Sequence, residues 1–388
     1  MSLATAKQLT QPTEGISCHA FNGDGTKLAI CPNNNEIHIY EGCDTNNWVR
    51  THVLAQHDLV VSGLDWSPVT NLIVSCSHDR NGYVWTWDEA QGKWQHAAVI
   101  LRIDRGALDV QWAADGTRFA VASASKCVPV CTYDASSDWW VSKTISSKKG
   151  KKHFKSTVLC VAFHPQNSQI LACGSSDFKC NIFSVFSSDV DAAPDGGPFG
   201  APVEFGDTYA DFTSFGWVNA VAWSPSGAVL AFAGHDSSVH FVTFGDSGPV
   251  CRTTRFKELP LCSLYFPSDS LMVGGGHEFN PVAFTGGSAV GSEWTSIGFL
   301  DRKKAEDAKA STSGCLLCRA LFQNKSTRGQ ETQAEGDVLW TKHESCIRTL
   351  TKMGGPSKMA SSGLDGRVVV WDLAQADVGV SMASLGIR

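Results

Sequence analysis

A self-similarity recurring at intervals of 42 to 59 residues runs through the chain, and it limits the attainable folds more than any single motif does. Each unit opens with an apolar strand ending in an aromatic, as in SCHAF, SGLDW, DVQW, LCVAF, NAVAW and CSLYF. A turn, a small-residue strand and a tight polar turn follow, then a third strand of alternating apolar residues, as in HDRNGYVWTW, SDFKCNIF and LDGRVVVWD. This is the grammar of consecutive hairpins. The polar-turn residues are Asn34, Asp79, Ser125, Asp177, Asp236, Glu278 and Asp365, at intervals of 45, 46, 52, 59, 42 and 87. Residues 287 to 342 hold no further aromatic anchor followed by the same turn, so the last interval reads as one repeat plus an insert of about the same length again.

Seven such units imply an all-β, seven-bladed β-propeller occupying residues 1–388 as a single domain, with an insert at about 301–342 before or within the last blade. Two units carry a stricter signature. His57 precedes Asp79 by 22 residues, with Ser75 four before that Asp and Trp85 six after it; His343, Ser361, Asp365 and Trp371 repeat the same offsets. This resembles the Asp-His-Ser-Trp hydrogen-bonded tetrad of WD-repeat blades, a buried polar network that is tolerable only if every member is satisfied. These histidines read as structural, not catalytic. An unclosed ring would expose strand edges, so the N-terminal segment, extended-looking over Lys7 to Thr13, is expected to supply the outer strand of the last blade.

The runs ISCHAFN, LAICPNNNEIHIYE, DRNGYVWTW, VILRIDRGA, DWWVSKTI, GSSDFKCNIFS and GWVNAVAWSPSG go beyond generic repeat consensus. They resemble subunit 1 of the actin-related protein 2/3 complex, over roughly residues 15 to 373. The resemblance implies a non-enzymatic scaffold in the assembly that nucleates branched actin filaments, in the cytoplasm at the actin cytoskeleton. Its implied partners are actin-related proteins 2 and 3, the small subunits, notably 4 and 5, and the mother filament. A generic WD-repeat adaptor binding peptides in another cytoplasmic complex is the rival. The Lys-rich loop, residues 189 to 215 and the flanks of the insert depart from the family pattern.

Three segments are candidates for partner contact. Within the insert, polar stretches flank GCLLCRALF, where a helix would place Leu317, Ala320 and Leu321 on one stripe with Leu316 and Phe322 beside it. So short a helix is marginal alone. It either docks in a partner's groove, as the family's insert does against filament actin, or folds back on the propeller wall. The run SSKKGKKHFKS, with Lys148, Lys149, Lys151, Lys152 and Lys155, is the one dense basic patch in a chain of net charge −6. It reads as a solvated loop or as an attractor for an acidic segment of a nucleation-promoting factor. The Pro/Gly-rich stretch from Asp189 to Thr213 offers Phe199 and Phe205, either as surface-loop residues or as anchors for a neighbour.

Other functions find little support. The chain has no phosphate-binding Gly loop, nucleophile elbow or zinc-protease motif, and the channel-facing strands read as apolar or small, so neither an enzyme nor a cofactor is expected. Cys315 and Cys318 with His343 and Cys346 have the outward look of a zinc site, but His343 is committed to its tetrad. Most of the 14 cysteines read as reduced core residues. Net charge and the scarcity of stacking aromatics near the lysines argue against nucleic acid. The N-terminus lacks an apolar leader core and no 18 apolar residues run together, so a soluble intracellular protein without membrane contact is expected.

Overall fold

The computed structural model describes residues 4–7, 15–45, 47–146, 153–200, 204–245, 248–301, 341–355 and 357–373. They form seven antiparallel four-stranded sheets. The inner strands are Cys18–Phe21, Val61–Trp66, Ala107–Trp112, Val158–His164, Val218–Trp223, Leu261–Ser268 and Ile347–Lys352. In the first six blades the remaining strands follow in chain order from inside to outside. The last blade takes its outer strand from the other end of the chain: Ala4–Lys7 pairs antiparallel with Val368–Asp372, Ala4 facing Trp371 and Lys7 facing Val368. Closure by the N-terminus is therefore as expected, but the strand lies earlier than Lys7 to Thr13, and residues 8–13 fall outside the described residues.

Period-two alternation explains the packing between blades. One face of each sheet meets the next, so apolar residues of consecutive units merge, as where Ile37, Ile39 and Leu54 of blade one meet Leu64, Trp66 and Ile73 of blade two. The second strands, buried on both faces, are built of small and apolar residues such as Phe119, Ala120, Val121 and Ala122. Gly63 shows how close the inner strands come. A Cβ there would lie 2.8 Å from the Val110 nitrogen and 2.9 Å from Cys76 Sγ, so only glycine fits.

The channel is more polar than expected: beside Leu64, Leu108, Val110 and Leu159, the side chains of Ser17, His19, Ser62, Asp65, Asp109, Gln111, Asn219, Ser263 and Thr351 line it. The reason is that these side chains latch one inner strand to the next. Asp65 accepts the Trp112 N–H at 2.7 Å, Asp109 that of Val161 at 3.1 Å, Gln111 that of Phe163 at 2.7 Å and Ser263 that of Leu350 at 3.0 Å. At the junction of the last and first blades, His19 Nε2 lies 2.6 Å from Thr351 Oγ1 and His19 Nδ1 2.7 Å from Ser362 Oγ. Among the described residues every cysteine is a free thiol, and all but Cys251 and Cys262 are buried.

Candidate functional surface

In five blades the d–a loop, which joins the preceding outer strand to the inner strand, is held by the polar-turn residue. Asp79 Oδ2 accepts from Asp58 N at 2.9 Å, Ser125 Oγ from Asp104 N at 3.0 Å, Asp177 Oδ2 from Lys155 N at 2.8 Å, Glu278 Oε1 from Leu259 N at 3.0 Å and Asp365 Oδ2 from Glu344 N at 2.8 Å. In these blades an acceptor in the turn between the second and third strands thus pins the incoming loop of its own blade. In two blades the pin extends inward. His57 Nδ1 lies 2.9 Å from Asp79 Oδ2, His57 Nε2 lies 2.9 Å from Ser75 Oγ, and Trp85 Nε1 donates to Ser75 Oγ at 2.9 Å. The corresponding distances among His343, Asp365, Ser361 and Trp371 are 3.0, 2.7 and 2.7 Å.

Burial pushes the His57 ring below the ordinary histidine range, against the pull of Asp79. Asp79 is held low despite its own burial by the amides of Asn81 and Asp58 and by the His57 ring. The neutral imidazole donates one way and accepts the other, so neither ring nitrogen is left for a metal or a substrate.

The insert leaves and re-enters beside the second tetrad, between the outer strand of blade six, Thr295–Phe299, and the inner strand of blade seven. Its base is clamped. Asn280 donates to the Asp301 carbonyl at 3.0 Å and accepts the Asp301 N–H at 3.0 Å, while Asp301 Oδ2 accepts from Lys342 N at 3.0 Å. Arg367 then donates to the Lys342 carbonyl at 2.8 Å and to Glu344 at 2.6 Å. The predicted helix residues Leu316, Leu317, Ala320, Leu321 and Phe322, with Cys315 and Cys318, lie outside the described residues, as do Lys148, Lys149, Lys151 and Lys152. Lys155 is exposed on the loop that Asp177 pins.

The stretch after Asp189 turns inward. Asp191 pairs with Arg118 of blade three, a fully buried guanidinium that also donates to the Val185 carbonyl at 3.0 Å. Phe199 stacks on Tyr209 with ring centroids 4.8 Å apart, and Lys143 sits 4.5 Å over the Phe205 ring. Both phenylalanine rings therefore make contacts within the chain.

A ring of side chains at the channel mouth has no counterpart in the sequence reading. In blades two to seven a bulge falls at the second residue of the inner strand, making Ser62, Leu108, Leu159, Asn219, Cys262 and Arg348 the extra residues. A bulge re-aims its side chain, and all six line the cavity at the mouth, together with His78, Trp217, His235 and His277. Some act as latches: Ser62 Oγ donates to the Ala107 carbonyl at 2.7 Å and Asn219 Nδ2 to that of Leu261 at 3.2 Å. The available signal was the recurrence of one position per unit, which the aromatic anchor ending each inner strand overshadows.

A family description, WD domain, G-beta repeat, matches residues 48–86, 145–184 and 208–242. Over nearly its whole length the chain is similar to actin-related protein 2/3 complex subunit 1A of Arabidopsis thaliana, at 39% identity over 93% of this chain and 94% of the relative. It is similar to subunit 1A-B of Xenopus laevis at 37%, over 92% and 94%. The corresponding subunit 1 of Schizosaccharomyces pombe is 34% identical over 92% and 96%.

Proposed function

The chain belongs to the actin-related protein 2/3 complex subunit 1 family, and on that premise we propose that it is the propeller scaffold of such a complex, supporting nucleation of branched actin filaments. The observation that carries this is identity sustained over more than nine-tenths of the chain and of its relatives, which no isolated repeat match would give. The role is binding, not catalysis: the tetrad histidines are spent on holding loops, and the buried framework presents the d–a loops as a fixed platform. The complex so formed works in the cytoplasm at the actin cytoskeleton. Its nearest partners are the two actin-related proteins and the small subunits 4 and 5.

The clamped base formed by Asn280, Asp301, Lys342 and Arg367 gives the insert a rigid point of departure. From it, the stripe of Leu317, Ala320 and Leu321, flanked by Leu316 and Phe322, docks against an actin subunit of the mother filament. Tagged chain is expected to co-purify with two actin-related proteins; recovery of a peptide ligand or of ubiquitin-ligase components instead would overturn the assignment. Within an intact complex, Leu317→Asp with Leu321→Asp is expected to lower branching while leaving subunit composition unchanged. Unaltered branching would remove the docking role of the insert and leave the scaffold role standing.

A further inference from the structure

We propose that Cys262, His277 and Cys346 form a zinc site at the mouth of the central channel, joining blades six and seven. Three separate elements bring these residues together. Cys262 is the bulged residue of the inner strand of blade six, His277 directly follows the second strand of that blade, Leu271–Gly276, and Cys346 directly precedes the inner strand of blade seven. Cys262 Sγ lies 3.8 Å from Cys346 Sγ and 3.4 Å from His277 Nε2, and the three ligand atoms all lie within 4.8 Å of one another.

The two separations from Cys262 are those found around a tetrahedral zinc ion. With zinc–sulfur bonds of about 2.3 Å and a zinc–nitrogen bond of about 2.0 to 2.1 Å, ligand atoms on a tetrahedron stand about 3.8 Å apart for two sulfurs and about 3.5 Å for sulfur and nitrogen. Both measured edges involving Cys262 match. Two thiols and an imidazole are a soft donor set that selects zinc over the oxygen-seeking magnesium and calcium. Zn²⁺ displaces one proton from each thiol, so two thiolates and a dication give a site without net charge beside the Arg348 guanidinium.

The surroundings suit a bound ion. The Cys346 carbonyl accepts the Leu364 N–H at 3.0 Å and the His277 N–H donates to the Pro260 carbonyl at 3.3 Å, so the backbones of both ligands are fixed. Cys262 and His277 also line the mouth cavity, which supplies an entry path and a fourth position for water. Cys346 lies on the limb that returns from the insert, and the ion ties that limb to blade six.

The test is titration of the reduced full-length chain with Zn²⁺ against a chromophoric chelator, with Co²⁺ as the spectroscopic substitute. The expected result is one equivalent bound with thiolate-to-cobalt charge-transfer bands. Cys262→Ser and Cys346→Ser should each abolish those bands and weaken Zn²⁺ binding by roughly tenfold or more, since removing a direct ligand costs at least as much as removing a supporting one. Cys251→Ser, at an exposed cysteine on the outer strand of blade five and outside the cluster, should change neither. If the buried Cys346 variant fails to fold, the half-buried Cys262 position carries the test alone. Absence of saturable binding in the reduced protein overturns the proposal, as does binding that survives both substitutions; a Cys262–Cys346 disulfide in unreduced protein, with no zinc bound after its reduction, assigns the pair to redox chemistry instead.

Discussion

Replacing Ser75 by alanine tests whether the tetrads are networks or merely neighbours. With His57 Nδ1–H donating to Asp79 at 2.9 Å, Nε2 must accept from the Ser75 hydroxyl, whose oxygen in turn accepts the Trp85 indole N–H at 2.9 Å. All three side chains are buried, with Ser75 wholly inaccessible. Removing one oxygen therefore strands one acceptor and one donor where water cannot reach. Each orphan costs about 1–3 kcal/mol, so Ser75→Ala should destabilise the chain by about 2–6 kcal/mol, a large part of the ~5–15 kcal/mol of a typical domain. Trp85→Phe removes the stranded donor together with the bond, so the double variant should lose less than the sum of the singles, with a coupling of about 1–2 kcal/mol. Urea denaturation followed by circular dichroism, at pH 8 where the imidazole is neutral, measures all four members of the cycle. A Ser75→Ala cost below about 0.5 kcal/mol, the range of an ordinary surface change, or additive singles, would refute the network.

Asp191→Ala leaves the Arg118 guanidinium buried without its carboxylate and should cost about 3–5 kcal/mol, read as a lowered urea midpoint; Arg118→Met with Asp191→Ala should recover much of the loss. Asp65 and Asp109 face the narrow channel, walled by the inner strands, and burial raises their carboxyls to about 6 and about 7 against the opposing backbone donors Trp112 and Val161. A raised folded-state pKa adds stability that is fully present below the unfolded value of about 3.9 and lost as pH rises through the folded value. Asp109→Asn should therefore gain on the parent protein between about pH 4 and about pH 7, and a difference constant with pH would sink that reading. Charge reversal of Lys148, Lys149, Lys151, Lys152 and Lys155 should weaken binding of an acidic activator segment at low salt and matter little at high salt; equal binding by both proteins at low ionic strength excludes the patch.

What the sequence disclosed and what it concealed follow from the range of the interactions. Blade number and tetrads were legible because each tetrad lies within one repeat and joins four distinct residue types at offsets that recur. The Arg118–Asp191 pair joins residues 73 apart, and Cys262 and Cys346 are 84 apart. Neither spacing belongs to the repeat, and a lone Arg, Asp or Cys carries no mark of its partner. For the same reason the metal-like pattern seen in the chain grouped Cys346 with the nearby Cys315, Cys318 and His343. In space Cys346 faces blade six, while His343 is bound to Asp365 and Ser361. The closing strand was expected on the ground that the ring must shut, which fixes that a strand is needed but not its register; four residues, Ala4–Lys7, do the pairing. The channel was misread because its polar residues serve as blade-to-blade latches.

The pairing of Ala4–Lys7 with Val368–Asp372 sets an order of events during synthesis. The closing strand emerges from the ribosome about 360 residues before its partner. At about 5–20 residues per second the interval between them is roughly 20 to 70 s, far longer than a hairpin needs to form. Through that interval blade one stands folded with no neighbour on one side and the leading segment has nothing to pair with, while each newly finished blade adds to an open arc. Ring closure is thus the last step in assembling the propeller, and a chain halted before residue 368 ends as an arc with a loose leading strand, open to pairing with another unfinished copy.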